Sequence, residues 1–199
     1  SHTYNAPGTY TVQYTASIQG ATPGCTDTAS VQIVVLPSPT ADLSVDNAAA
    51  CNSLTTAFTN NSVGGVQYHW DFGNGTTSTQ MHPPPVTYDA VGPYTITLTV
   101  RNAQGCEDAA TQVVNVYGPP DVQIGAQNVC EGSPAQFTDL TVTEPGNPII
   151  SWNWDLGDGT TSTDASLAHT YAGGGTYTVT LDVSTPYCSG SGTLPVTVE

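Results

Sequence analysis

Three segments of the chain alternate apolar and polar residues with a period of two. The clearest is residues 94–100, which read Tyr-Thr-Ile-Thr-Leu-Thr-Val. A period of two places the apolar residues on one face of a β-strand and the threonines on the other. The chain shows no helical period, so the pattern predicts short strands packed as a two-sheet sandwich. The other two segments carry Tyr10, Val12 and Tyr14, and Tyr177, Val179, Leu181 and Val183.

Two further segments combine a tryptophan strand with a glycine-rich turn. Residues 70–75 read Trp-Asp-Phe-Gly-Asn-Gly, and residues 154–159 read Trp-Asp-Leu-Gly-Asp-Gly. The tryptophans alternate with polar neighbours, so they are predicted to face the core. Glycine tolerates positive φ and Asn or Asp bonds nearby backbone, which predicts a tight chain reversal. The motif residues are Trp70, Asp71, Gly73, Gly75, Trp154, Asp155, Gly157, Asp158 and Gly159, and Trp152 also reads inward.

The motifs recur along the chain at a nearly constant interval. The two tryptophan turns are 84 residues apart (154 − 70 = 84). Tyr4, Tyr88 and Tyr171 begin three copies of a second motif, at intervals of 84 (88 − 4) and 83 (171 − 88). Proline-bearing connectors at 36–39 and 117–120 separate the copies. The sequence therefore predicts the C-terminal half of a truncated repeat (1–36), a complete middle repeat (40–117) and a complete last repeat (121–199), each an independent bead on a string.

The charge balance excludes two classes of partner. The chain of 199 residues has one Lys or Arg against 16 Asp and Glu, for a net charge of −15. With a single basic side chain, Arg101, it cannot displace the counterions of nucleic acid to any extent, and anionic lipid headgroups would repel it. No run of about 18 apolar residues is present, so no membrane insertion is expected.

The five cysteines are spread along the chain and are predicted to form structural disulfides. None forms a CxxC pair or a Cys/His cluster of the zinc type. Widely spaced cysteines in a loop-rich chain indicate an oxidising compartment. The disulfide candidates are Cys25, Cys51, Cys106, Cys130 and Cys188.

The two motifs together resemble the PKD (polycystic kidney disease) domain, and the resemblance covers nearly the whole chain. It implies tandem immunoglobulin-like β-sandwiches of about seven strands each. With the added cysteines, the repeats look like those of large secreted bacterial surface proteins. The middle repeat has Asn74 where the last has Asp158, and Val86 where the others have His2 and His169. These positions therefore need no particular charge.

Two disulfide pairings agree with this topology, and the sequence leaves both open. Within each repeat, Cys51 would pair with Cys106 and Cys130 with Cys188. Alternatively, the early cysteine of one repeat lies at the same junction as the hairpin between strands F and G of its neighbour. Cys51 would then pair with Cys188 across the junction and lock a rigid rod.

The tyrosines and aspartates of the motifs are interpreted as structural residues. Tyr4, Tyr88 and Tyr171 look like tyrosine-corner residues whose hydroxyls pin a loop. Asp71 and Asp155 are expected to hydrogen-bond their own turns. Calcium is the alternative, since some members of the resembled family bind it near domain junctions, although the chain has no EF-hand or RTX-type loop. No other cofactor is expected.

The resemblance implies a secreted, cell-surface, bacterial protein that is not an enzyme. We expect a structural or adhesive module of a long repeat array, forming a stalk, adhesin or filament. Its partners would be neighbouring repeats, other copies in a filament, or a surface glycan or protein. The alternative is an accessory glycan- or protein-binding module of a secreted hydrolase. No catalytic constellation is recognisable in the sequence.

Overall fold

The structure is a computed structural model that describes residues 1–18 and 25–199. These residues form β-strands, turns and bends, with no helix among them. The all-β prediction is therefore confirmed.

The first segment is a single antiparallel hairpin. Its strands are β1 (Gly8–Ser17) and β2 (Thr26–Val35). Within the described residues of this segment, no second sheet covers the apolar face of the hairpin. Val12 is 38% exposed and Tyr14 is 70% exposed. The alternating residues therefore form a strand, but the apolar face that was predicted to be buried remains exposed.

The middle repeat is a sandwich with one large sheet. The strands are β3 (Leu43–Val45), β4 (Ala49–Cys51), β5 (Leu54–Thr56), β6 (Phe58–Asn60), β7 (Gln67–Asp71), β8 (Thr77–Ser78), β9 (Val86–Tyr88), β10 (Gly92–Arg101) and β11 (Glu107–Tyr117). The large sheet has five strands in the order β4-β11-β10-β7-β8, and the pairs β3–β6 and β5–β9 face it. Strands β10 and β11 form a long hairpin, and β7 pairs with the other edge of β10.

The last repeat has the same architecture with slightly different sheet edges. The strands are β12 (Ile124–Gly125), β13 (Ala135–Asp139), β14 (Ser151–Asp155), β15 (Thr161–Ser162), β16 (Ser166–His169), β17 (Gly175–Ser184) and β18 (Ser189–Val198). They form a four-stranded sheet in the order β15-β14-β17-β18 and a three-stranded sheet in the order β12-β13-β16.

Each complete repeat has its own hydrophobic core. The core of the middle repeat is built around Trp70 and the inward side chains of β10, and the core of the last repeat around Trp154 and those of β17. The inward residues Ile96, Leu98 and Val100 are fully buried, because they share one core cluster with residues of the opposite strands β3, β5 and β6. The two clusters share no residue, so the repeats are separate sandwiches rather than one merged core.

Candidate functional site

The junction between the middle and last repeats contains the disulfide of the described structure. Strand β4 runs parallel to the C-terminal end of β11, which places Cys51 opposite Tyr117. The amide of Asn52 donates a hydrogen bond to the Tyr117 carbonyl at 2.8 Å. Asn52 has a φ of 63°, a left-handed conformation that Asn adopts more readily than most residues. Cys51 is therefore held where the chain leaves the middle repeat.

The other half of the junction is the hairpin turn between β17 and β18. The Thr185 hydroxyl donates to the Cys188 carbonyl at 2.9 Å and accepts the Cys188 amide at 2.8 Å. The backbone closes the same turn, because the Thr185 amide donates to the Cys188 carbonyl at 2.8 Å. Thr185 and Cys188 are both buried. The turn thus presents Cys188 in one fixed orientation.

Cys51 and Cys188 form a disulfide across the junction, with Cα atoms 5.3 Å apart. This separation lies within the usual range for disulfides. The within-repeat alternative is therefore wrong for both cysteines, so neither Cys51–Cys106 nor Cys130–Cys188 forms. The physical reason is that the early cysteine and the hairpin turn of one repeat lie at opposite ends of its sandwich, whereas neighbouring repeats bring these ends together.

Backbone and aromatic contacts surround this disulfide. Cys188 Sγ lies 3.6 Å from the Tyr117 carbonyl oxygen. The rings of Tyr117 and Tyr187 stack with centroids 5.0 Å apart. In the connector, the Gly118 amide donates to Glu144 Oε1 at 3.3 Å. The repeats are thus joined by a covalent bond, by a ring stack and by a connector anchored to the last repeat.

Glycines in β18 let the connector approach this sheet closely. A Cβ at Gly190 would come within 2.8 Å of the Pro120 carbonyl oxygen, and one at Gly192 within 2.9 Å of the Val122 carbonyl oxygen. Any larger residue would therefore displace the connector. The sequence analysis did not identify these glycines, Thr185, or the Tyr117–Tyr187 pair. Alternating glycine at 190 and 192 is the signal that could have indicated a close backbone approach.

The tryptophan-turn motifs are repeated in detail in both complete repeats. Trp70 and Trp154 are fully buried. Their indole Nε1 atoms donate to the carbonyls of Gln80 at 2.9 Å and Asp164 at 2.8 Å. Trp152 is half-buried and donates to Asp139 Oδ2 at 2.7 Å. These contacts satisfy the indole N–H groups, as buried tryptophans require.

The motif aspartates bond their own turns. Asp71 Oδ1 accepts the Gly73 amide at 2.9 Å, and Asp155 Oδ1 accepts the Gly157 amide at 2.9 Å. Because Asp71 and Asp155 belong to different repeats, they share no pocket. The remaining turn glycines, Gly75 and Gly159, have φ values of 85° and 90°.

The motif tyrosines lie under these turns. The Tyr88 hydroxyl donates to the Phe72 carbonyl and the Tyr171 hydroxyl to the Leu156 carbonyl, each at 3.0 Å. Burial raises the pKa of both tyrosines to about 12. Each tyrosine therefore ties its strand to the turn in the neutral form. In the first segment, Tyr4 stacks on Tyr10 with ring centroids 4.2 Å apart.

A histidine–aspartate contact distinguishes the last repeat. His169 Nε2 lies 2.7 Å from Asp158 Oδ2. Partial burial raises the pKa of Asp158, but hydrogen bonds from the Thr160 amide and from His169 outweigh it, so the pKa lies below its ordinary value. The middle repeat has Asn74 and Val86 at these positions and holds its turn without a pair.

In residues 1–18 and 25–199, Cys106 and Cys130 are outside any disulfide, and no three His, Cys, Asp or Glu side chains form a metal-binding group. No helix in this part of the chain is long and apolar enough to cross a membrane. Cys25 lies in the first segment and is exposed.

The fold and the junction define a class of protein: tandem β-sandwich modules joined end to end. Within that class, the family model of the PKD domain matches residues 37–118 and 117–198. The chain therefore belongs to the PKD domain family and contains two PKD domains in tandem. The predicted family and fold class, tandem immunoglobulin-like sandwiches, are confirmed.

The curated relatives are much longer than this chain, which spans 13% or less of the length of the two described here. The pre-pro-metalloprotease PrtV of Vibrio cholerae is 28% identical over 125 residues, which cover 63% of this chain and 13% of that protein. Human polycystin-1 is 30% identical over 198 residues, which cover 93% of this chain and 4% of that protein. The crystal structure of the PKD1 domain of the Vibrio cholerae metalloprotease PrtV is 27% identical with a TM-score of 0.37, covering 41% of this chain and 98% of that one.

Proposed function

We propose that this chain is an extracellular, non-catalytic structural or adhesive module from a longer bacterial repeat array that forms a stalk, adhesin or filament. The observation that carries the proposal is the Cys51–Cys188 disulfide between two separate sandwiches. A disulfide at a domain junction fixes how one domain is oriented on the next. A spacer that holds a distance or transmits a load needs this fixed orientation, whereas a flexible linker would lose it.

The same bond supports an extracellular location. Disulfides persist in oxidising environments and are rare where thiols are kept reduced. Four of the five cysteines, namely Cys51, Cys106, Cys130 and Cys188, lie at repeat-related positions in the two complete repeats. This regularity supports a role in every repeat and favours secretion to the cell surface.

A structural role also agrees with the carboxylates. A hydrolase of the two-carboxylate type needs both acids in one pocket. Asp71 and Asp155 instead accept amides of their own turns in separate repeats. The chain has 16 acidic residues and one basic residue, which supports a solvated rod whose partners are neighbouring repeats, other copies, or a surface protein or glycan.

Small-angle scattering tests the proposal on the chain itself. A compact globule of 199 residues would have a radius of gyration of about 16 Å. We expect a clearly larger radius and a narrow distribution of end-to-end distances. The paired variant Cys51→Ser/Cys188→Ser should broaden that distribution, and the matched control Cys106→Ser/Cys130→Ser should leave it unchanged. A radius near the compact value would contradict the rod.

A second candidate is an accessory binding module beside a secreted hydrolase. It is favoured by the metalloprotease among the similar proteins and by a surface cleft on the middle repeat lined by Tyr68, His69, Thr99 and Arg101. Arg101 is also 3.5 Å from Glu107. A glycan array and a surface-protein pull-down would test it. Binding that is lost in His69→Ala and kept in His82→Ala supports this role, and no binding to either probe removes it.

A further inference from the structure

Cys130 occupies in the last repeat the same backbone position that Cys51 occupies in the middle repeat. Cys51 pairs in parallel with Tyr117, and the residue after it donates its amide to the Tyr117 carbonyl at 2.8 Å. Next to Cys130, Val129 pairs in parallel with Val198, and the Glu131 amide donates to the Glu199 carbonyl at 2.7 Å. Cys130 is therefore held beside the C-terminal end of β18, as Cys51 is beside the C-terminal end of β11, and its side chain is exposed.

Cys106 occupies in the middle repeat the position that Cys188 occupies in the last. The Asn102 amide donates to the Cys106 carbonyl at 3.0 Å, and the Cys106 amide donates to Asn102 Oδ1 at 2.9 Å. Thr185 and Cys188 make the same two contacts, with the Thr185 hydroxyl replacing the amide oxygen. Both turns therefore present a cysteine in the same way, although different residues cap them.

The Cys106 turn also faces the preceding connector. Asn102 Nδ2 donates to the Pro37 carbonyl at 2.9 Å, just as Cys188 Sγ touches the Tyr117 carbonyl before the next connector. Cys106 therefore lies at the entry of the middle repeat, while Cys130 lies at the exit of the last. Because they belong to different junctions, the geometry does not make them partners of each other.

We infer that Cys130 forms a disulfide with the hairpin cysteine of a PKD repeat that follows it, and Cys106 with the early cysteine of a repeat that precedes it. Every junction of the array then carries one disulfide equivalent to Cys51–Cys188. This inference rests on the proposed repeat array, and it adds that the array is a continuous, sulfur-linked chain of domains. Reduction would loosen all of its junctions at once.

Each of these inter-domain disulfides forms by thiol–disulfide exchange with a disulfide oxidant such as oxidised glutathione. The Cys130 thiolate attacks one oxidant sulfur, forming a mixed disulfide and releasing one thiol. The thiolate of the neighbouring hairpin cysteine then attacks Cys130 Sγ and releases the second thiol. The two cysteines lose two protons and two electrons in total, and the oxidant disulfide is reduced to two thiols.

The test is an extended chain in which residues 1–199 are followed by a second copy of residues 118–199. This copy supplies a connector and a hairpin with its own Cys188. After oxidation with glutathione, non-reducing peptide mapping should show Cys130 linked to the appended copy's Cys188. The variant Cys130→Ser should expose one additional thiol to maleimide, and the matched control Cys106→Ser should leave the link intact.

The Cys51–Cys188 link in the same molecule reports that oxidation and folding have succeeded. If that link forms while Cys130 remains a thiol, or if Cys130 pairs elsewhere, the inference is overturned. A second extended chain, residues 37–117 followed by residues 37–199, tests the other end independently. There the added copy's Cys51 should link to Cys106, and an unlinked Cys106 beside an intact Cys51–Cys188 bond overturns the inference as well.

Scattering on the same extended chain separates this inference from the proposed function. An elongated particle without the Cys130 disulfide refutes the inference of a disulfide at every junction, but it agrees with the proposed elongated array. A compact particle with the Cys130 disulfide refutes the proposed elongated array, but it agrees with the inference of a disulfide at every junction.

Discussion

The middle and last repeats differ in sequence at many positions, but they share one set of contacts. In each, a buried tryptophan donates its indole N–H to a carbonyl ten residues further on, that of Gln80 or Asp164. In each, a buried tyrosine hydroxyl binds a turn carbonyl at 3.0 Å. By contrast, the Asp158–His169 pair is found in the last repeat, and Asn74 and Val86 replace it in the middle one.

This difference separates what the sandwich requires from what it tolerates. Buried indole and phenol groups must satisfy their hydrogen bonds, because an unpaired buried donor costs about 1–3 kcal/mol. The Asp158–His169 pair is only partly buried, so water can reach and replace either partner. The shared contacts should therefore carry most of the stability, and the pair that one repeat lacks should carry little.

The largest expected effect is the loss of a core tryptophan. Trp70→Ala should cost the middle repeat about 3–5 kcal/mol, because it removes a fully buried side chain and leaves a cavity. A single domain has a total stability of about 5–15 kcal/mol. We therefore expect hydrogen exchange to show loss of protection in the middle repeat. Trp154→Ala should do the same in the last repeat.

The two tryptophan variants control each other. If the two cores are independent, each variant should leave the other repeat protected at its wild-type level. Equal loss of protection in both repeats from either variant would contradict the separation of the cores and make the two domains one cooperative unit.

Alanine at the two turn glycines should give effects of intermediate size. Gly73 and Gly75 have φ values of 74° and 85°, so alanine at either should cost about 1–2 kcal/mol of backbone strain. A Cβ at Gly73 would also come within 2.6 Å of the Thr95 carbonyl oxygen, whereas one at Gly75 meets nothing within 4 Å. Gly73→Ala should therefore cost about 1–3 kcal/mol more than Gly75→Ala.

Urea denaturation followed by tryptophan fluorescence measures this difference. Gly157→Ala and Gly159→Ala are the matched pair in the last repeat, where the corresponding Cβ positions meet the Thr178 carbonyl oxygen at 2.6 Å and open space. Gly157→Ala should therefore destabilise its repeat more than Gly159→Ala, as Gly73→Ala does relative to Gly75→Ala. Equal destabilisation within a pair would show that the strand carbonyl moves aside without cost.

The smallest expected effect is that of the Asp158–His169 pair. Asp158→Asn gives the last repeat the residue found in the middle repeat and should cost at most about 1 kcal/mol near neutral pH. The folded state lowers the pKa of Asp158. The contribution of the ionised Asp158 carboxylate to the free energy of unfolding is therefore present above the ordinary pKa of the carboxyl. It is lost as the pH falls through the lower pKa of the folded state.

Melting temperatures of the last repeat between about pH 7 and about pH 2 test this sign. The acid-induced decrease in stability should be smaller in Asp158→Asn than in the wild type. Asn74→Asp is the control in the middle repeat, where Val86 offers no partner. An unchanged pH profile in Asp158→Asn would mean that the pair contributes nothing.

Much of each repeat could be predicted from local chemistry. Alternating residues such as Ile96, Leu98 and Val100 predict strands because successive side chains on a strand point to opposite faces. The Gly-x-Gly turns after Trp70 and Trp154 predict reversals because few other residues tolerate positive φ. The close approach of the connector to Gly190 was not predicted, because it depends on where the connector crosses the sheet.

Alternation alone did not determine burial. Tyr14 in β1 and Leu181 in β17 occupy corresponding places in the same pattern, but Tyr14 is 70% exposed while Leu181 is fully buried. The strand forms in both cases, since its period and its hairpin partner are local. Burial needs an opposite sheet, which the described residues supply to β17 and not to β1.

The sequence by itself determined that this chain forms repeated β-sandwiches, because the period of its side chains and its turn glycines act over a few residues. Together with the topology that the family resemblance implied, it favoured two pairings of the cysteines. Only the tertiary structure decided that Cys51 joins Cys188, because a disulfide depends on the distance between two chain ends in space. That distance is set by how one folded repeat abuts the next.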